Sequence, residues 1–134
     1  MSEWILCDVE KVVELGRDPK EVEGKVLDLL LAHKLSSPNA VVDIGSPQQS
    51  SLAVGLSGDR AYVEFGSMDG EPPYFRVINP SPALGKEPDI VFSYKGQRTP
   101  LPARNCLSVD DMIRIVKHFL ETESIPGWLK LEEV

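Results

Sequence analysis

Residues 51–67 read SLAVGLSGDRAYVEFGS. Apolar and small residues alternate with polar ones on both sides of Gly58-Asp59, and the second run adds a β-branched residue and two aromatics. Alternation at period two marks half-buried strands, and a Gly-Asp pair between two such runs marks a tight hairpin turn. Working outward, AVVDIG (40–45) precedes the hairpin and PYFRVIN (73–79) follows it, each with a strand pattern. PSPALGKEP (80–88) then reads as a proline-rich loop, because proline lacks the N–H that a sheet ladder needs. DIVFSYKGQRTPLP (89–102) predicts a second hairpin, with Lys95-Gly96 at its turn.

Two helices flank these strands. In RDPKEVEGKVLDLLLAHKLSSPN (17–39), Asp18 is placed to cap, Pro19 fits the first helical position and Glu21 completes a capping box. Val22, Val26, Leu29 and Leu30 fall on one face, Leu27 and Leu31 are expected to widen it, and Ser36, Ser37 and Pro38 end it. Gly24 weakens this helix by about 1 kcal/mol against alanine unless close packing needs it. In SVDDMIRIVKHFLETE (108–123), Ser108 caps and Asp111 takes the third helical position. Val109, Met112, Ile113, Val116, Phe119 and Leu120 form its apolar stripe, and Pro126 bars continuation. WLKLE (128–132) predicts a short returning strand, and SEWILCDVEKVVELG (2–16) fits either a strand or a helical turn. The order helix, sequential strands, helix, strand predicts an α+β fold: a mainly antiparallel meander with both helices on one face, forming one domain over residues 1–134.

Bulk properties narrow the function. With 14 Lys and Arg against 21 Asp and Glu, the 134-residue chain carries a net charge of −7. Such a balance keeps a protein soluble and attracts a basic partner. It argues against direct nucleic-acid binding, since no basic run exists to displace phosphate counterions. No apolar run approaches the length of a membrane span, and MSEWILCDVEK lacks the basic lead of a signal peptide. The expected setting is therefore a reducing cytoplasm, with Cys7 and Cys106 both free thiols.

The chemistry-bearing residues form no recognised catalytic pattern. Cys106 and His118 have the residue types of a nucleophile and base, but they lie twelve positions apart, and a histidine near a helix C-terminus serves the helix dipole. Asp43, Asp59, Glu64, Asp69 and Glu71 sit at strand ends and turns, where carboxylates are common for backbone reasons. Asp69-Gly70 matches only a fragment of a calcium loop, and GSPQQSS and GSMDG lack phosphate-loop spacing, so no metal or cofactor is expected. EFGSMDGEPPYF (64–75) mixes aromatics with carboxylates, the composition of a recognition surface for a basic partner. Strand alternation sends Tyr74 and Phe75 to opposite faces, so one of the two is expected outside the core.

The second half of the chain resembles immunity family one of the bacterial polymorphic toxin systems. The resemblance rests on a strand ending in Tyr94-x-Gly96, a return containing Pro100 and Pro102, the capped helix starting at Ser108, and Phe119-Leu120-x-Thr122 followed by Pro126 and Trp128. SLAVGLSGDRAYVEFGSMDG resembles the family's central hairpin, and the match covers roughly residues 50 to 132. Two departures stand out: Glu123 occupies a position where glycine is usual, and Trp128 lies closer to the proline than is common. The resemblance implies a non-enzymatic antitoxin that blocks the active site or substrate groove of a cognate toxin, often a nucleic-acid deaminase or nuclease. A substrate groove for nucleic acid is basic, so an acidic inhibitor complements it. Asp69, Glu71 and Tyr74 are the first candidates for that contact, then Asp59 and Glu64. The alternative is a stand-alone interaction or regulatory module with a non-toxin partner. Either reading leaves open whether the chain is a monomer or a weak dimer.

Overall fold

The computed structural model describes residues 3–7, 12–36, 40–69, 71, 73–78, 90–94 and 97–133. In chain order the elements are β1 (Trp4–Cys7), β2 (Val12–Gly16), α1 (Pro19–Ser36), β3 (Val41–Gly45), β4 (Ser50–Ser57), β5 (Arg60–Ser67), β6 (Phe75–Ile78), β7 (Ile90–Tyr94), β8 (Gln97–Leu101), β9 (Leu107–Ser108), α2 (Val109–Thr122) and β10 (Lys130–Glu133). Among the described residues, one sheet runs β10-β6-β5-β4-β3-β1-β2, with β9 extending the β6 side of β5, and β7 and β8 pair separately. The strand pairs are antiparallel, with one isolated parallel bridge between Ala40 and Ser93, so the mainly antiparallel α+β meander holds.

The β4–β5 hairpin is the spine. Its pairs run from Ser57↔Arg60 at the turn to Ser50↔Ser67 at the open end. Gly58 takes φ 61°, a conformation that glycine adopts without the steric cost of a Cβ. Alternation then sorts the side chains. Leu52, Val54, Leu56, Ala61 and Val63 join the core shared with α1 and α2, and Ala53 and Tyr62 join a second cluster. Phe119 anchors the larger core, fully buried, with Trp4 and Phe65 edge-on at ring distances of 5.5 and 6.0 Å. Truncating an aromatic so buried costs about 3–5 kcal/mol.

The second cluster explains a glycine. The β7–β8 hairpin lays Phe92 on the sheet face opposite the helices, among Val41, Ala53, Tyr62, Leu101 and Cys106. A Cβ at Gly55 would stand 2.7 Å from the Phe92 ring, so only a bare backbone admits it. The helices cover one face as expected, and the hairpin covering the other is an addition that the strand pattern did not disclose.

Three sequence readings need adjustment. SEWILCDVEKVVELG holds two strands, β1 and β2, because Trp4, Leu6 and Leu15 are buried in alternation against the core. Leu31 does not widen the buried face of α1. It is 58% exposed, because at 3.6 residues per turn it points away from Val22 and Val26. Ile115 is fully buried and belongs to the α2 stripe. The proline-rich loop at 80–88 and the Lys95-Gly96 turn lie outside the described residues.

Candidate partner-binding surface

α2 spans the length of β5, and its two ends mark two different surfaces. At its start, Ser108 caps the helix by accepting from the Asp111 amide at 3.1 Å, and Ser108 itself pairs with Arg60 beside the Gly58-Asp59 turn. At its end, Glu123 reaches the β3–β4 turn, where its Oε1 accepts the Gln48 amide at 3.1 Å. That turn in turn holds the far end of β5, since the Met68 amide donates to the Gln49 carbonyl at 2.9 Å. Three segments distant in sequence thus converge at one end: residues 46–50, 67–69 and 122–124.

The five expected contact residues divide among these places. Asp69 and Glu71 are exposed at the converging end. The Asp69 carboxylate accepts the Glu71 amide at 2.9 Å; that bond, with a second from the Ser67 hydroxyl, holds its pKa below the usual value. Tyr74 is half-buried nearby, its ring lying on Gly66, where a Cβ would come within 3.2 Å. Phe75 is half-buried as well, in register with Phe65, so neither aromatic stands free of the fold. Met68 lies over Gly45 in the same manner, so the turn and its neighbours pack down on a sheet kept bare by glycine.

Asp59 is elsewhere. It lies at the opposite turn, with its side chain 96% exposed and Arg60 at 3.7 Å. An eight-residue strand at about 3.3 Å per residue puts roughly 25 Å between it and Asp69. Glu64 lies inward on the sheet face that carries the hairpin. Its side chain is 18% exposed, and its Oε1 stands 3.5 Å from Arg76 Nε. Beside them the Tyr62 phenol is pushed above its ordinary value, first by burial and then by the Glu64 charge. Glu64 is thereby engaged within the fold.

Sequence reasoning did not name Gln48, Gln49 or Glu123 as contact residues. Gln49 and Glu123 both adopt left-handed backbone, at φ 69° and 57°, which costs a side-chain-bearing residue about 1 kcal/mol each. The signal for Glu123 was present in its replacing a usual glycine, since the C-cap of a helix is where glycine's freedom is used. Its bond to Gln48 offsets that cost. No basic residue stands in the last turn of α2, whose carbonyl end carries partial negative charge. Glu121, Glu123, Asp69 and Glu71 add to that field instead of neutralising it.

Other candidates separate. Cys106 is 2% exposed under the β7–β8 hairpin, its Sγ 3.5 Å from the Pro102 carbonyl, while His118 rides on α2 across the sheet, so the two form no nucleophile–base pair. Trp128 is 52% exposed with the Arg114 guanidinium 5.6 Å from its ring centre, on the surface rather than in the core. Among the described residues, no cluster of three His, Cys, Asp or Glu side chains is placed to hold a metal ion, and no helix is long and apolar enough to cross a membrane. No curated protein matches the chain significantly. The model of a protein family described as Immunity protein Imm1 matches residues 13–133.

Proposed function

The chain belongs to the Imm1 immunity protein family, and from that premise we propose that it is a non-enzymatic cytoplasmic antitoxin whose acidic end closes the active site or substrate groove of a cognate toxin. The toxin's proposed activity is nucleic-acid deamination or cleavage. The observation that carries this reading is the convergence of Asp69, Glu71 and Glu123 with the carbonyl end of α2 at one extremity of the sheet. A toxin that handles nucleic acid gathers cations where phosphates bind. A surface presenting carboxylates and a helix C-terminus complements those cations and speeds encounter. Tyr74 adds an amphipathic ring at the margin, the kind of side chain that anchors interfaces. Asp59, at the far turn, and Glu64, paired with Arg76, contribute less than Asp69 and Glu71 in this reading.

The test is capture from the source cell with the intact chain as bait, read by mass spectrometry, followed by an activity assay of what is captured. The expected result is one basic toxin domain in stoichiometric complex, with its action on nucleic acid abolished by the chain and the complex weakening as salt rises. An expressed toxin that is not retained, or whose activity is unaffected, overturns the reading.

A further inference from the structure

α1 turns toward solvent a stripe that its own fold does not use. Val22, Val26 and Leu30 are buried against the core. With 3.6 residues per turn, Gly24, Asp28 and Leu31 point the other way. Leu31 is 58% exposed, and Leu27 is half-buried at the margin of the stripe. Gly24 is exposed in the helix interior, and a Cβ built there meets nothing within 4 Å, so no neighbour among the described residues requires glycine. The stripe is thus a notch and a protruding aliphatic side chain, two turns apart on one face.

We infer that this stripe binds a second copy of the chain as an antiparallel α1 pair related by a two-fold axis. With the axis midway between residues 27 and 28, Leu31 of each copy enters the notch at Gly24 of the other. Leu27 meets its own counterpart on one flank. On the other flank Lys25 of each copy comes beside Asp28 of its mate. Lys25 donates one N–H to the Leu15 carbonyl at 3.3 Å, and its ammonium keeps two further donors for the mate's carboxylate. Opposite charges meet twice, and a knob meets a hole twice, from one set of residues. Such self-complementarity is what an isologous two-fold contact requires. Close approach of helix backbones needs a small residue where the other helix's side chain inserts, and Gly24 supplies it.

Sedimentation of the intact chain across the micromolar to millimolar range tests this. The wild type is expected to pass from monomer to dimer with concentration. Leu31→Glu is expected to remain monomeric with an unchanged melting temperature, because the side chain it alters is exposed. Asp28→Lys is expected to weaken association roughly tenfold, and Lys25→Glu combined with Asp28→Lys to restore it. A wild type that stays monomeric, a Leu31→Glu variant that associates undiminished, or a charge swap that restores nothing overturns the inference.

Discussion

At the Gly58-Asp59 end of the molecule α2 begins, and at the Ser67–Asp69 end it stops. Both ends are acidic. At the first, Asp110 and Asp111 lie in the opening turn of α2, where unpaired amides favour negative charge. Asp111 also pairs with Arg114 at 3.4 Å. Carboxylates there stabilise the helix that carries them. At the second end, Glu121 and Glu123 stand beside carbonyls that already carry negative charge, and Asp69 and Glu71 approach from β5. Nothing in the last helical turn offsets them. On α2 the same residue type therefore favours the helix dipole at one end and opposes it at the other. Charge held against the local field is what a surface needs if it is to attract a cationic partner.

The largest expected effect separates the two ends by function. Asp69→Lys with Glu71→Lys should weaken toxin binding more than about 100-fold, since like charges then face the cations proposed for the toxin. Asp59→Lys should stay within about threefold, as befits an exposed residue whose pairing contributes little. Titration calorimetry on the three proteins reads both. Equal losses would erase the distinction between the ends.

A smaller effect concerns the stabilising end alone. Ser108→Ala removes the cap on α2 and should cost about 1 kcal/mol in urea unfolding, with toxin affinity unchanged. The helix dipole gives two neutralisations opposite signs. Asp110→Asn should destabilise the fold and Glu121→Gln should stabilise it, each by about 0.3–1 kcal/mol, with both effects shrinking in high salt. Two changes of the same sign would contradict the electrostatic contrast.

The smallest effect is at acid pH. The Glu71 amide, with the Ser67 hydroxyl, holds the Asp69 carboxyl below the usual carboxylate range in the folded chain. Its contribution to stability is therefore present above the unfolded pKa and is lost as pH falls through the folded one. Asp69→Asn should make the acid limb of the stability–pH curve shallower than in the wild type. An unchanged limb would mean that the Glu71 amide and Ser67 hydroxyl do not hold the carboxylate.

Much of this frame was legible in the residues. The Gly58-Asp59 turn, the Ser108 cap and the strand pattern from 40 to 78 are local signals, set by backbone sterics and side-chain period, and the structure follows them. Local signals cannot report what arrives from a distance. Nothing in the residues around Gly55 announces that Phe92 lies on it, and Leu31 reads as core although the helix phase puts it outside. The site divides in the same way. Asp69, Glu71 and Tyr74 are neighbours in sequence and stay neighbours in space. Gln48 and Glu123 are 75 residues apart and meet through one hydrogen bond. Only the replaced glycine at position 123 hinted at that contact, and it did so without naming the partner.

Amide hydrogen exchange on the toxin-bound chain, compared with the free chain, tests the central claim most directly. The account predicts new protection in residues 46–50, 67–71 and 121–124, with the Gly58-Asp59 turn exchanging as before. Protection centred on residues 57–60, with the converging end unchanged, would contradict it.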